Sequence, residues 1–296
     1  MKPILFKGSG VALVTPMYED ESVNFNELEK LIEFQIKNKT DAIIVCGTTG
    51  ENATLSDSEK EQVIKFTVEK VNGRIPVIAG TGGNCTKRSV HLSKLAEKLR
   101  CDGILVVTPY YNKTSQEGLY YHYKTIAQAV KIPVILYNVP SRTGIDIALE
   151  TCLKLSKKDN ILAIKEASGD ISKVSKIISL CGENLNVYSG NDDQTLPVLS
   201  LGGIGVISVF ANIFPKEMHN INSLYFEGKV IESRNLFFKY LNTMNTLFCD
   251  VNPVPVKEAL NMIGFNCGKC RMPLFRLNSE NIAKLKSALR ENLIES

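Results

Sequence analysis

One lysine at the end of an apolar run is the residue of this sequence best placed to do chemistry. The segment Ile161-Leu162-Ala163-Ile164 precedes Lys165, and Gly169-Asp170 then indicates the start of a helix. Side chains alternate between the two faces of a strand, so an inward Lys165 shares its face with Ala163 and Ala167, which leave room around it. A buried ammonium is costly unless it is paired or loses its proton, and a neutral amine is a nucleophile. The alternative is a lysine on an edge strand whose ammonium reaches water.

An amine that attacks a ketone forms a Schiff base, and that reaction makes further demands on the site. The lysine must be neutral, so desolvation by the apolar strand must lower its pKa from the usual value of about 10.4. Tyr137, at the end of the preceding apolar run, is the candidate for moving protons. Thr48 and Thr49 offer donors to a carboxylate, and Arg142 offers a guanidinium to a second one. Each also has a simpler interpretation, because a hydroxyl at a strand end can close a turn and an arginine can be a surface charge.

Apolar runs that alternate with amphipathic helices must position these side chains. The runs are nearly continuous, which is typical of parallel strands covered on both faces. There are eight, at residues 10–15, 41–46, 75–80, 103–108, 132–137, 161–165, 186–189 and 205–209. Eight such units predict an α/β fold, a (β/α)8 TIM barrel whose active site lies at the carboxyl ends of the strands. A doubly wound open sheet is the alternative, disfavoured because Thr15-Pro16 stands where a GxGxxG motif would be expected.

The pattern changes to helices alone after about residue 228. Helices are expected at 230–248, 255–263 and 279–292. We therefore predict a catalytic barrel over residues 1–228 and a helical C-terminal region over residues 229–296, which packs on the barrel.

Composition and charge exclude several other classes of function. The 296 residues carry a net charge of +4 without a basic block interleaved with aromatics, which argues against a nucleic-acid partner. No apolar run approaches the roughly 20 residues that span a bilayer, and the first residues lack a signal-peptide layout, so we expect no membrane association and a cytoplasmic location.

Cys267 and Cys270 have the CxxC spacing but lack a second ligand pair, so we expect reduced thiols and no metal. The strand ends also lack the histidines and carboxylate clusters of metal-assisted, glycosidic or Ser-His-Asp hydrolysis.

Five segments together resemble the class I pyruvate-dependent aldolases and lyases, and within them the dihydrodipicolinate synthase family. The resemblance covers nearly the whole chain. Its segments are Gly47-Thr48-Thr49-Gly50-Glu51, Val107-Thr108-Pro109-Tyr110-Tyr111-Asn112, Leu136-Tyr137-Asn138-Val139-Pro140-Ser141-Arg142-Thr143-Gly144, Ile164-Lys165-Glu166-Ala167 and Gly205-Val206-Ile207-Ser208.

The resemblance implies catalytic roles for four residues. Lys165 would form the Schiff base with pyruvate, and Tyr137 would donate and accept protons. Thr48 would pass protons between Tyr137 and Tyr111, and Tyr111 would come from the neighbouring subunit of a tight dimer.

Substrate-binding residues are implied in the same way. Thr49 would bind the pyruvate carboxylate, Ile207 would contact pyruvate through its backbone, and Gly190 would line the same site. Arg142 would bind the carboxylate of L-aspartate 4-semialdehyde. The implied product, 4-hydroxy-tetrahydrodipicolinate, feeds lysine and diaminopimelate synthesis, and the implied assembly is a homotetramer built as a dimer of dimers. No cofactor is expected.

Related activities on the same barrel are the alternatives. In N-acetylneuraminate lyase the second-strand motif usually reads Ser-Thr and the fifth-strand loop lacks the arginine, so Thr48 and Arg142 favour the synthase over this lyase. The 2-keto-3-deoxy sugar acid aldolases remain a further alternative. A barrel that binds a small ligand without catalysis is the more distant one, and the Lys165, Tyr137 and Thr48 set argues against it.

One departure from the family pattern concerns regulation. Lysine-inhibited members bind lysine at the dimer interface through a histidine and a glutamate. The aligned positions here are Asp57 and Arg88, with Lys60 nearby, while Asn84 and Tyr110 are retained. A cationic Arg88 opposes binding of an ammonium group, so we expect weak or absent inhibition by lysine.

Overall fold

Eight parallel strands close into a barrel in which each strand pairs with the next and the last pairs with the first. The structure is a computed structural model, and it describes residues 2–293. The strands are β1 (Gly8–Ala12), β2 (Ala42–Val45), β3 (Val77–Gly80), β4 (Gly103–Val107), β5 (Val134–Asn138), β6 (Ile161–Glu166), β7 (Asn186–Ser189) and β8 (Gly205–Ser208). The predicted (β/α)8 barrel is confirmed, and the open-sheet alternative is wrong.

Helices connect the strands and continue beyond the last of them. They are α1 (Phe25–Lys37), α2 (Asp57–Val71), α3 (Thr86–Lys98), α4 (Gln116–Gln128), α5 (Pro140–Thr143), α6 (Leu149–Ser156), α7 (Ile171–Cys181), α8 (Thr195–Ser200), α9 (Pro215–Phe226), α10 (Val230–Thr246), α11 (Val254–Met262) and α12 (Ser279–Leu293). Short 3-10 turns lie at Gly182–Asn184, Asp192–Gln194 and Phe210–Asn212. Several starts follow side-chain capping, as at α2, where Ser56 and Glu59 form a capping box.

Two apolar layers explain why the strands read as continuous hydrophobic runs. Residues such as Ile161 and Ile164 of β6 point outwards and pack under the helices. Ala163 and the neighbouring Ala167 belong to the cluster that fills the barrel interior, together with Tyr137 and Ile207. Both faces of each strand are therefore buried, as in other parallel barrels.

The C-terminal helices pack on the barrel and on one another. Helix α10 lies against α9 and α12, and the Thr243 hydroxyl donates to the backbone oxygen of Ala288 at 3.1 Å. Farther along, the backbone N–H of Met17 donates to Cys267 at 3.0 Å. Contacts of this kind join the two parts closely, and the division at residue 228 stays a prediction.

Cys267 and Cys270, the two cysteines of the CxxC motif, are free thiols. Burial raises the pKa of Cys267 and that of Cys270 to about 12, and the Glu51 carboxylate adds to the effect at Cys270. Both thiols are therefore protonated at neutral pH.

None of the helices within residues 2–293 combines the length and the apolarity needed to cross a bilayer.

His122 on α4 makes the stability of the fold depend on pH. Its ring is 5% exposed, and its Nδ1 lies 2.8 Å from the Thr86 hydroxyl. Burial lowers its pKa from 6.5 to about 4. The unfolded chain therefore takes up a proton near pH 6.5, while the folded chain stays neutral at this residue down to about pH 4.

We expect His122 to lower the free energy of unfolding by roughly 3 kcal/mol as the pH drops from 6.5 to 4. His122→Leu removes that contribution, and the difference between variant and wild type is measured by urea denaturation across this pH range. His91→Gln, at an exposed histidine, is the matched control and should keep the wild-type slope. An unchanged slope in His122→Leu would contradict the prediction.

Candidate active site

A cavity of about 190 Å³ opens at the carboxyl ends of the strands. It adjoins a second cavity of about 280 Å³, which extends towards Tyr110 and Leu274. Six of the eight site residues expected from the sequence line the first cavity, and they are Thr48, Thr49, Tyr137, Arg142, Lys165 and Gly190.

Lys165 points into this cavity from β6. It pairs in register with Tyr137 of β5 and Tyr188 of β7, and only 5% of its surface is exposed. Its Nζ lies 4.5 Å from the centroid of the Tyr137 ring. A closed barrel has no edge strand, so the edge-strand interpretation of this lysine is wrong. The amine and the phenol share one enclosed space, which is what proton transfer between an imine and a phenol requires.

A buried carboxylate behind Lys165 fixes the strand ends. Glu166 is 3% exposed, and its two oxygens accept from the Asn138 side-chain amide at 3.1 and 2.9 Å. The backbone N–H of Ser168 donates to the same carboxylate at 2.7 Å. Because Glu166 follows Lys165 and Asn138 follows Tyr137, these bonds hold the two site residues next to each other.

The two threonines lie in the loop after β2. Thr49 is buried, and its hydroxyl accepts from the Asn252 side-chain amide at 3.1 Å. Thr48 is half-buried and borders both cavities. The Thr15 hydroxyl donates to the backbone oxygen of Gly50 at 2.8 Å, so the first strand also supports this loop.

Arg142 occupies the short helix α5 and lines both cavities. Its side chain is exposed, and one Nη donates to the backbone oxygen of Asn252 at 3.5 Å. The guanidinium therefore lies at the mouth of the site, where a fork of N–H donors can bind a carboxylate.

Two expected site residues do not line either cavity. Ile207 is fully buried in the barrel interior. Tyr111 is 91% exposed and has a φ of 69°, which turns the loop after β4 outwards. Within one chain, the structure therefore does not bring Tyr111 to Lys165.

Two residues at or near the site escaped the sequence analysis as functional candidates. Asn252 contacts Thr49 and Arg142 from a segment treated as an appendage, and the only signal was the Asn252-Pro253-Val254-Pro255 break between two helices. Asp192 begins the 3-10 turn Asp192–Gln194 after β7. Its buried carboxylate accepts from the backbone N–H groups of Phe210 and Val209 at 2.9 and 3.1 Å. Burial raises the pKa of Asp192, and the positive charge of Lys165 is among the opposing influences.

The closed barrel and the cavity at its strand ends define a (β/α)8-barrel enzyme. The chain belongs to the dihydrodipicolinate synthetase family, whose family model matches residues 5–292. It is 57% identical over 288 residues to a protein of Clostridium perfringens named 4-hydroxy-tetrahydrodipicolinate synthase, covering 97% of this chain and 99% of the relative.

Solved structures give the same result. The crystal structure of dihydrodipicolinate synthase from Aquifex aeolicus superposes with a TM-score of 0.94 at 46% identity, covering 97% of this chain and 98% of that one. Another similar structure, at 41% identity and a TM-score of 0.94, is described as a monomeric dihydrodipicolinate synthase variant and covers 97% of each chain.

Gly190 is packed too closely for any side chain. A Cβ at this position would lie 2.5 Å from the Cβ of Ala167 and 3.0 Å from the backbone oxygen of Glu166. Gly190→Ala should therefore push apart the ends of β6 and β7 and lower the free energy of unfolding by roughly 1–3 kcal/mol. Urea denaturation measures the loss.

Gly83 offers the matched control in another loop at the same end of the barrel. A Cβ there would meet only the Ser89 hydroxyl, at 3.7 Å, which is an ordinary contact. Gly83→Ala should keep the wild-type midpoint. Equal midpoints for the two variants would show that the ends of β6 and β7 are not tightly packed.

Proposed function

We propose that this chain is a 4-hydroxy-tetrahydrodipicolinate synthase, which condenses pyruvate with L-aspartate 4-semialdehyde through a Schiff base on Lys165. The observation that carries this proposal is the enclosed pairing of Lys165 with Tyr137, whose ring centroid lies 4.5 Å from Nζ, in a cavity that Arg142 also lines. The membership of the chain in its family supports the same activity.

The first step forms an imine. The neutral amine of Lys165 attacks C2 of pyruvate, and the resulting carbinolamine loses water. Tyr137 supplies the proton that the leaving hydroxide needs, and Thr48 returns protons to it. Thr49 binds the pyruvate carboxylate, while Gly190 and the backbone of Ile207 complete the site for this substrate.

Carbon–carbon bond formation follows from the imine. Its positive nitrogen acidifies C3, whose proton passes to the Tyr137 phenolate and leaves an enamine. The enamine carbon then attacks the aldehyde carbon of L-aspartate 4-semialdehyde, and Tyr137 gives the proton to the new alkoxide. Arg142 holds the carboxylate of that substrate at the mouth of the cavity. The amino group that came from L-aspartate 4-semialdehyde then attacks C2 and closes the ring. The bond between C2 and Lys165 breaks and releases the free amine of the lysine.

A second copy of the chain completes the proton path in this proposal. Tyr111 is 91% exposed and lines neither cavity of its own chain, so it is available to the site of a neighbouring subunit. We therefore propose the tight dimer, and the homotetramer built from two of them, as the active assembly. A cytoplasmic location belongs to the same proposal.

Borohydride trapping tests the central step. Reduction in the presence of pyruvate should add a stable pyruvate-derived group to Lys165 alone, which peptide mass mapping locates. Lys165→Ala should give no adduct. An adduct on another residue, or none on the wild type, would rule out the mechanism.

Tyr137→Phe tests the role of the phenol in proton transfer, and the measurement is the turnover rate of the variant. It removes only a phenolic hydroxyl, so the variant should keep its fold and lose roughly 10²–10⁴-fold in turnover. Full turnover in this variant would remove Tyr137 from the proton path. The turnover of the wild type should be low when N-acetylneuraminate or a 2-keto-3-deoxy sugar acid is the substrate. A preference for either substrate would point to the related aldolases instead.

The surface aligned with the lysine site of inhibited relatives carries an excess of positive charge. Arg88 donates to the Asp57 carboxylate from two of its nitrogens, at 2.7 and 3.1 Å. The hydrogen bonds from Arg88 lower the pKa of Asp57. Lys60 is buried, and its Nζ lies 4.0 Å from the same carboxylate. The Asp57 carboxylate is thus already shared by two cations.

L-Lysine should therefore leave the initial rate nearly unchanged at sub-millimolar concentrations, because Arg88 and Lys60 already neutralise the Asp57 carboxylate and repel its ammonium. The measurement is a lysine titration of initial rates, with equal additions of potassium chloride as the control for ionic strength. Strong inhibition in the sub-millimolar range would contradict this expectation.

A further inference from the structure

An ion pair lies fully buried between the barrel and the C-terminal helices. The Nζ of Lys257 is 2.8 Å from an oxygen of Glu51, and the two side chains are 2% and 0% exposed. Further hydrogen bonds complete the pair, because Nζ also donates to the backbone oxygen of Lys269 at 2.8 Å, and the second carboxylate oxygen accepts from the backbone N–H of Arg271 at 2.9 Å. Two charges withdrawn from water in this way need such complete partners.

Glu51 ends the loop that carries Thr48 and Thr49. Its backbone N–H donates to the oxygen of Thr48 at 3.1 Å, and that of Asn52 donates to Gly47 at 3.2 Å, so the loop is a tight turn. Glu51 has a φ of 57°, a left-handed conformation that a non-glycine residue keeps only when its surroundings impose it.

The groups that surround Glu51 and its loop come from the C-terminal region. Lys257 lies on α11, and Arg271 lies between α11 and α12. Asn252, just before α11, donates its side-chain amide to Thr49 in the same loop. Residues 252–271 of the C-terminal region therefore bond to the loop at its middle, Thr49, and at its end, Glu51.

We propose that Glu51 and Lys257 are positioning residues that hold the Thr48 and Thr49 hydroxyls in place beside Lys165. This inference rests on the proposed function. Glu51 borders the adjoining cavity of about 280 Å³, but neither residue lines the cavity that contains Lys165. The ion pair acts instead through the backbone of the loop, and it makes the helical region a working part of the active site.

The decisive variant replaces both charges together, as Glu51→Gln with Lys257→Met. A neutral pair of similar volume leaves no unpaired buried charge, so the double variant keeps its fold. Without the ion pair, the threonine loop loses its fixed position. We expect kcat/KM for pyruvate to fall roughly ten- to hundredfold, through both a higher KM and a lower kcat. Borohydride should still trap pyruvate on Lys165, because the nucleophile is intact.

Two further variants separate positioning from stability. Glu51→Asp keeps the charge but shortens its reach by one methylene, and should show an intermediate loss of kcat/KM. Thr243→Val is the matched control, because it removes two hydrogen bonds between α10 and α12, to Ala288 and from Asn292, without touching the loop. It should lower the unfolding midpoint and leave kcat and KM at their wild-type values.

Wild-type kcat and KM in the folded double variant would overturn the inference. If the double variant does not fold, Glu51→Asp decides, and wild-type kinetics in that variant would overturn the inference as well. Failure of the proposed function gives a different result, because the wild type itself would then form no pyruvate adduct on Lys165.

Discussion

In a closed parallel barrel, every second residue of a strand must face an interior from which bulk water is excluded. In β6 this rule places Ala163 and Lys165 on the inner side and Ile164 under the helices. The small alanines leave the space that the lysine side chain needs. Glu166, the next residue, faces outwards. Its carboxylate accepts hydrogen bonds from the Asn138 side chain, and these fix the end of β6 against β5. The position of the amine follows from this alternation, and the rest of the site is arranged around it.

Much of the fold could be predicted because its signals are local. Apolar runs marked all eight strands, although the first lies at Gly8–Ala12 rather than at residues 10–15. Helix α6 has no such local signal at its start, because Ala148, at its N-cap, makes no side-chain capping bond. The candidate residues at strand ends were found because parallel strands bring all their carboxyl ends to one side.

The partners of Glu51 could not be predicted from its surroundings in the sequence. The ammonium partner of its carboxylate, Lys257, lies 206 residues farther along the chain. Asn252 was overlooked for the same reason. Backbone conformation was equally hidden, since Cys46, Glu51 and Tyr111 have positive φ angles in the loops after β2 and β4. Such conformations persist where packing imposes them, and loops around binding sites are a common place for them.

Asn252 touches both halves of the site with different atoms. Its side-chain amide donates to Thr49, and its backbone oxygen accepts from Arg142. Thr49 and Arg142 are therefore linked through this one residue, and any shift of Asn252 changes the contacts of both. Thermodynamic linkage makes such an effect reciprocal, so whatever the first ligand contributes to the affinity of the second, the second contributes equally to that of the first.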